Sequence, residues 1–131
     1  MTLRVLVVED DPDARKVLSL ILKLDGFDVS TVASGREAIE VMTAELPGLL
    51  LVDAVMPDID GYAVCRWVRS NPVTANLPVV MLSGKSDLAS ANLGREAGAD
   101  EYLAKPIKPS ALTRHIRALM ARAEARMLVP S

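Results

Sequence analysis

The stretch LLLVDAVMPDIDGY, residues 49–62, decides the fold of this chain. Its first four residues are apolar, and the fifth is the carboxylate of Asp53. A short continuous apolar run is typical of a strand covered on both faces, as in a parallel sheet. Two more acids follow, Asp58 and Asp60, and we interpret them as residues of the turn and of the start of the next helix. The stretch therefore predicts a buried strand with an acid at its carboxyl end.

Similar short apolar runs alternate with segments of helical period along the chain. The other predicted strands are Leu3–Val8, Phe27–Val32, Pro78–Leu82 and Asp100–Leu103. Predicted helices run from Pro12 to Asp25-Gly26, Ser34 to about Glu45, Gly61 to Asn71-Pro72, about Ser86 to Ala97, and Pro109-Ser110 to about Met127. This alternation predicts an α/β fold: a single-domain, three-layer (βα)5 doubly wound parallel sheet, flavodoxin-like, with strand order 2-1-3-4-5.

Length and composition favour one domain in the cytoplasm. The chain has 131 residues, a common size for a single domain, and a net charge of -2, which predicts no direct contact with nucleic acid. No apolar stretch approaches the roughly 18–20 residues of a membrane span, and the N-terminus does not resemble a signal peptide. One cysteine, Cys65, permits no internal disulfide. We expect a domain over residues 1–125, with 126–131 as a C-terminal tail or the start of a linker.

Polar residues stand where the predicted strands end. Glu9 and Asp10 follow the first strand, Asp53 the third, Ser83 the fourth and Lys105 the fifth. In an open parallel sheet the carboxyl ends of the strands form the ligand crevice. Three carboxylates there would repel one another unless a hard cation such as Mg²⁺ neutralised them. Lysine and hydroxyl groups hold phosphoryl oxygens, and a carboxylate can accept the phosphoryl group. The pattern predicts Mg²⁺-dependent phosphoryl transfer onto Asp53.

Four motifs, in order and at these spacings, resemble the receiver domain of two-component response regulators, the CheY-like family. They are VLVVEDD at residues 5–11, LLLVDAVMPDIDGY at 49–62, PVVMLSG at 78–84 and GADEYLAKP at 98–106. The resemblance covers essentially the whole chain. It implies the flavodoxin-like fold already predicted, and a signalling switch that catalyses its own phosphorylation and dephosphorylation without being a metabolic enzyme.

The resemblance also implies a metal site. Asp53 would be the phosphoacceptor. Asp10 would bind Mg²⁺ directly and Glu9 through water, with the backbone carbonyl of Val55 as a further ligand. Mn²⁺ would be able to substitute for Mg²⁺.

Further roles follow from the same resemblance. Lys105 would contact the phosphoryl oxygens, and the bond before Pro106 would be cis. Ser83 would move toward the phosphoryl group, and Tyr102 would turn inward behind it. Val55 and Lys85 occupy the positions that tune attack by water. Val55 has no side-chain donor and Lys85 can cover the site, so we expect slow self-dephosphorylation.

The partners implied are a sensor histidine kinase or a His-phosphotransfer protein as donor, and a downstream effector protein or attached effector domain. The effector would bind the face made by the fourth helix, fifth strand and fifth helix, roughly Ser86–Ala97, Asp100–Leu103 and Ser110–Met120. We expect a monomer or a phosphorylation-dependent homodimer. The sequence is compatible with a stand-alone receiver and with the N-terminal domain of a larger regulator or hybrid kinase.

Three alternatives use the same topology. A Mg²⁺-dependent phosphatase with an aspartyl nucleophile commonly has a second acid two residues on, where this chain has Val55. A flavodoxin-type electron carrier needs a hydroxyl- and glycine-rich loop where this chain has Glu9, Asp10 and Asp11. A phosphorylation-independent interaction module is disfavoured because every residue of the site is present.

Overall fold

A computed structural model describes residues 2–85 and 87–128, in which five strands alternate with five helices. The strands are β1 (Arg4–Val8), β2 (Asp28–Val32), β3 (Leu49–Asp53), β4 (Val79–Ser83) and β5 (Glu101–Ala104). The helices are α1 (Pro12–Leu24), α2 (Gly35–Ala44), α3 (Gly61–Ser70), α4 (Leu88–Ala97) and α5 (Pro109–Leu128). Ser86, the predicted start of the fourth helix, and residues 129–131 of the predicted tail lie outside the described residues. Asp87 is the N-cap of α4.

The strands form one parallel sheet in the order β2-β1-β3-β4-β5, which confirms the predicted topology. Val8 of β1 lies opposite Val52 of β3, and Asp53 lies opposite Leu82 of β4. Ser83 lies opposite Ala104 of β5. Because these pairs fall at the last or next-to-last residues of their strands, the side chains at the carboxyl ends of β1, β3, β4 and β5 emerge along one edge of the sheet.

Hydrophobic cores lie on both faces of the sheet, since successive residues of a strand point to opposite sides. One core packs Val5, Val7, Leu49, Leu51 and their neighbours against α1 and α5, with these contributions from the helices: Leu18, Leu22, Leu112, Ile116 and Leu119. The other core packs the alternate strand residues against α2, α3 and α4. The buried residues that these helices contribute are Ala38, Met42, Val64, Cys65, Val68 and Ala97. Burial on both faces accounts for the unbroken apolar runs of β1 and β3.

Acids and hydroxyls cap the helices where the sequence predicts them. The side chain of Asp11 accepts from Ala14 N at the start of α1, and that of Asp60 accepts from Ala63 N at the start of α3. Ser34 accepts from Glu37 N at 3.1 Å. The carboxylate of Glu37 accepts in return from the backbone of Ala33, one residue before the cap. These bonds fix the loops that leave the carboxyl edge of the sheet.

The opposite edge of the sheet is held by Arg69 of α3. Its guanidinium donates to three backbone carbonyls, those of Ala75, Leu77 and Gly98. It also pairs with the carboxylate of Asp100, which accepts from the backbone N–H of Val79 at 2.8 Å. Arg69 thus ties α3 to the amino ends of β4 and β5.

The longest helix is α5, with 20 residues. Among the residues described, no helix combines the length and the apolar character that crossing a bilayer requires.

Candidate functional site

Three carboxylates meet at the carboxyl edge of the sheet. Glu9 and Asp10 directly follow β1, and Asp53 is the last residue of β3. One oxygen from each lies within 4.8 Å of the others. The side chains of Glu9 and Asp53 are only 2% and 11% exposed, whereas Asp10 is open to solvent. The strand order brings these acids together because β1 and β3 are neighbours at the point where the chain switches direction across the sheet.

Lys105, just after β5, neutralises part of this charge. Its ammonium donates to Glu9 Oε1 at 2.6 Å and to Asp53 Oδ2 at 2.8 Å. Burial acts to lower the pKa of Lys105, but the hydrogen bonds and charges of Asp53 and Glu9 outweigh it, so the pKa is raised above 10.5. Lys105 therefore stays a cation at the centre of the site.

Glu9 is the most deeply buried member of the cluster. Burial raises the pKa of Glu9 above its ordinary 4.5, and the nearby Asp53 carboxylate raises it further. The bond from Lys105 acts in the opposite direction. The family resemblance implies a contact of Glu9 with a metal through water; in this structure its carboxylate bonds Lys105 directly. The second oxygen lies 3.4 Å from the backbone nitrogen of Asp11.

The loop after β3 is held close to Asp53. The backbone N–H of Val55 donates to Asp53 Oδ1 at 3.2 Å, and the Val55 side chain is 56% exposed. Gly61, the first residue of α3, donates to the carbonyl of Ala54 at 2.9 Å. A Cβ on Gly61 would lie 2.3 Å from the Asp53 carbonyl oxygen, so only glycine permits this approach. The loop backbone at Val55 is thereby fixed beside the phosphoacceptor candidate.

Asp58 has a role that the sequence did not reveal. We interpreted it as a residue of the turn into the third helix, but its carboxylate also accepts from the backbone N–H groups of Gly35 and Arg36, at 3.3 and 3.0 Å. These donors belong to the start of α2. Backbone bonds, first that of Ile59 and then that of Arg36, lower the pKa of Asp58. The partners lie 22 and 23 residues away, so no local pattern could identify them.

Ser83, Lys85 and Tyr102 are joined by hydrogen bonds. Ser83 ends β4 and is fully buried. Its Oγ accepts from the backbone N–H of Lys85 at 3.0 Å. The backbone carbonyl of Lys85 accepts from the Tyr102 hydroxyl at 2.8 Å. Lys85 itself is exposed. One loop residue therefore connects the predicted switch hydroxyl to the predicted switch aromatic.

The segment after β5 has the expected backbone. The Lys105–Pro106 peptide bond is cis. The backbone N–H of Lys105 donates to the carbonyl of Ser83 at 2.8 Å, which continues the pairing of β4 with β5 past the strand end. This bond keeps the Lys105 side chain at the carboxyl edge, within reach of both buried acids.

The donor set fits a divalent cation. Carboxylate oxygens are the ligands that Mg²⁺ and Mn²⁺ prefer. One oxygen from each of the three acids lies within 4.8 Å of the others, so a single cation could contact all three. Asp10 is open to solvent, where a metal could keep water ligands. The acidic group thus has the composition and spacing of a metal site.

Comparison with known proteins agrees with this geometry. The family model for the response regulator receiver domain matches residues 5–117. The transcriptional regulatory protein GltR of Pseudomonas aeruginosa is 39% identical over 120 residues, covering 92% of this chain and 50% of that protein. The DNA-binding response regulator MtrA of Mycolicibacterium smegmatis is 38% identical over 124 residues, covering 95% of this chain and 53% of that protein. The chain thus spans about half the length of these relatives.

A solved structure supports the same likeness. The crystal structure of the signal receiver domain of a signal transduction histidine kinase from Syntrophus aciditrophicus superposes with a TM-score of 0.86 at 35% identity. The match covers 92% of this chain and 91% of that one.

Proposed function

Because this chain belongs to the response regulator receiver domain family, we propose that it works as a switch driven by phosphorylation of Asp53. The observation that carries the proposal is the position of the Asp53 carboxylate. It accepts from the ammonium of Lys105 and has an oxygen within 4.8 Å of one from Glu9 and one from Asp10, at the end of a central strand. A nucleophile, a cation for the phosphoryl oxygens and ligands for a metal are thus within reach of one another.

The proposed donor is a phosphohistidine of a sensor histidine kinase or a His-phosphotransfer protein. One carboxylate oxygen of Asp53 attacks the phosphorus, a P–O bond forms, and the P–N bond to the imidazole breaks, leaving the nitrogen with the bonding electron pair. The product is an aspartyl phosphate. The ammonium of Lys105 already donates to Asp53 Oδ2 and can instead donate to the arriving phosphoryl oxygens. A phosphatase of the aspartyl type would need an acid two residues on, where Val55 offers none.

Mg²⁺, or Mn²⁺ in its place, is the proposed cofactor. Glu9, Asp10, Asp53 and the backbone carbonyl of Val55 would hold it. When bound, a divalent cation offsets the negative charge that phosphoryl transfer brings to the site. The chain's own contribution is to hold the acids in place: Glu9 by burial under Lys105, and the Val55 backbone by its bond to Asp53.

Ser83 and Tyr102 are proposed to read the phosphorylated state. A phosphoryl group adds about -1.5 to -2 charges and strong acceptor oxygens. The Ser83 hydroxyl can donate to those oxygens only when they are present. Movement of Ser83 is passed to the loop through the N–H of Lys85, and to Tyr102 through the Lys85 carbonyl. A differential contact of this kind shifts a population between two loop positions.

The proposed output face consists of α4, β5 and α5. Leu88 and Leu93 of α4 are 72% and 55% exposed, so both side chains are accessible to a protein partner. Glu101 of β5 pairs with Arg122 of α5. The partner is a downstream effector protein or an attached effector domain, and the face could equally pair two phosphorylated copies. Size-exclusion chromatography with and without beryllofluoride distinguishes a constant monomer from a phosphorylation-dependent homodimer.

The primary test is phosphorylation by acetyl phosphate in the presence of Mg²⁺. We expect incorporation into the wild type and none into Asp53→Asn. Asp58→Asn is the matched control, because it changes a carboxylate of the same loop that faces α2 instead of the cluster. Equal incorporation into the wild type and Asp53→Asn would refute the site assignment.

The side chains of Val55 and Lys85 support slow self-dephosphorylation. Val55 carries no group that could orient an attacking water, and Lys85 is free to extend over the site. We expect the acyl phosphate to be long-lived, and Val55→Asn to shorten its half-life by supplying an amide. The measurement is loss of label after removal of acetyl phosphate. A wild-type half-life of only seconds without a phosphatase contradicts this interpretation.

A further inference from the structure

The second tyrosine of the chain, Tyr62, lies against the predicted switch aromatic. Tyr62 is in the first turn of α3, directly after Gly61, whose own backbone lies against the carbonyl of Asp53. Its hydroxyl is 3.4 Å from that of Tyr102 on β5. Both rings are half-buried and pack against the same core. The pair therefore connects the helix that begins at the phosphoacceptor loop with the strand of the output face.

Counting hydrogens shows which way this contact is directed. A phenol has one hydrogen to donate. Tyr102 donates its hydrogen to the carbonyl of Lys85 at 2.8 Å, so toward Tyr62 it can only accept. The Tyr62 hydrogen has two acceptors within reach, the Tyr102 oxygen at 3.4 Å and the carbonyl of Ser90 in α4 at 3.5 Å. Removing the Tyr102 ring from this position would leave Tyr62 with the Ser90 carbonyl alone.

The ring of Tyr102 is also enclosed on its other side. A Cβ on Gly94 of α4 would lie 2.6 Å from Tyr102 Cδ2, so the ring lies directly on the helix backbone. Burial, followed by the bond to Tyr102, raises the pKa of Tyr62. The Tyr62 hydroxyl thus keeps its hydrogen throughout the physiological pH range. The Tyr102 ring is held between the backbone of α4 and a permanent donor on α3.

We propose that Tyr62 is a positioning residue for the switch, holding Tyr102 where its hydroxyl bonds the Lys85 carbonyl. The inference rests on the proposed function in taking this packed position as the inward one, favoured by phosphorylation. Tyr62 and the phosphoryl group then favour the same ring position, the phosphoryl group through Ser83 and Tyr62 through α3. Because such coupling is reciprocal, removing the Tyr62 hydroxyl weakens binding of a phosphoryl mimic at Asp53.

The chain's composition gives a direct test. It has two tyrosines, so tyrosine labelled with ¹³C at Cζ produces two NMR signals, and Tyr62→Phe leaves that of Tyr102 alone. Phenylalanine keeps the ring in the core and removes only the hydroxyl. We expect the Tyr102 signal of Tyr62→Phe to be shifted from its wild-type position without any ligand. We also expect the affinity for beryllofluoride with Mg²⁺ to fall by about two- to ten-fold, the effect of one net hydrogen bond.

Two controls keep the outcomes separate. Tyr102→Phe, which removes the bond to Lys85 itself, should reduce the beryllofluoride affinity at least as much as Tyr62→Phe. Asp53→Asn should abolish the response, and a wild type that binds no beryllofluoride counts against the proposed function instead. An unchanged Tyr102 signal in Tyr62→Phe overturns the positioning role. An unchanged or increased beryllofluoride affinity overturns the coupling.

Discussion

The substitution Lys105→Met tests whether this one cation holds the acidic site together before any metal binds. Methionine keeps an unbranched side chain of similar length and removes the charge. Lys105 faces Glu9 at 2.6 Å and Asp53 at 2.8 Å, and its side chain is 29% exposed. Without it, two largely buried carboxylates lose the ammonium from which both accept a hydrogen bond. We expect the free energy of unfolding to fall.

The size of the effect follows from the charges. One oxygen of each carboxylate in the site lies within 4.8 Å of the others. Two unit charges at that separation repel by about 3.5 kcal/mol at an effective dielectric constant of about 20. Breaking a buried ion pair by removing one partner costs about 3–5 kcal/mol. Lys105 is partly exposed and Asp10 is open to water, so solvent screens part of this. We expect a loss of about 2–4 kcal/mol near neutral pH in EDTA.

Urea unfolding followed by fluorescence of the single tryptophan, Trp67, measures this loss. Adding Mg²⁺ should stabilise Lys105→Met more than the wild type, because the metal supplies the missing positive charge. The matched control is Lys108→Met, an exposed lysine of the same segment, for which we expect almost no change. A Lys105→Met protein as stable as the wild type in EDTA, with the same response to Mg²⁺, would refute the reasoning.

The dependence on pH has a definite sign. The folded-state pKa of Glu9 is raised above 4.5, so its contribution to stability is fully present below 4.5 and is lost as the pH rises through the raised value. The bond from Lys105 lowers the pKa of Glu9, so Lys105→Met raises that pKa further. The stability deficit of the variant should therefore shrink on acidification, as Glu9 takes up a proton. A deficit that grows between neutral and mildly acidic pH contradicts the assignment.

Three further substitutions test the supports of the site, all by urea unfolding. Gly61→Ala places a Cβ 2.3 Å from the Asp53 carbonyl oxygen and should cost about 1–3 kcal/mol. Asp58→Ala removes the acceptor for the start of α2 and should lower the free energy of unfolding near neutral pH; because the pKa of Asp58 is lowered, this difference should disappear as the pH falls through its folded value, below 3.8. Arg69→Met should cost about 2–4 kcal/mol by leaving carbonyls and a carboxylate without their donor, whereas Arg66→Met, on the exposed side of the same helix, should be nearly neutral.

Features set by local sequence were predictable. The apolar runs predicted the parallel sheet, because strands covered on both faces are apolar throughout. The acids at the strand ends predicted that Glu9, Asp10 and Asp53 lie close together, because β1 and β3 are neighbours. The caps at Asp11 and Asp60 followed from the same kind of short-range reasoning. The roles of the site residues in phosphoryl transfer and the boundary at residue 125 stay predictions.

Features set by packing between distant segments were not predictable. Asp58 precedes α3 but bonds the start of α2, because the loop before α3 lies against the first residues of α2. Arg69 occupies an ordinary position near the end of a helix, and nothing close to it in sequence indicates Asp100 as its partner. Tyr62 and Tyr102 are 40 residues apart, and their contact depends on how α3, α4 and β5 pack. In each case the interaction is decided by the tertiary fold.

The glycine at position 94 has a consequence for how readily α4 unfolds. Glycine within a helix destabilises it by about 0.5–1 kcal/mol relative to alanine. At position 94, however, any larger residue would collide with the ring of Tyr102. Helix α4 has 10 residues, the same length as α2 and α3, whose glycines stand at the first position. Its central amides should therefore exchange their hydrogens with solvent faster than those of α2 and α3. The partner proposed for α4 would therefore meet a helix that opens locally more often than its neighbours.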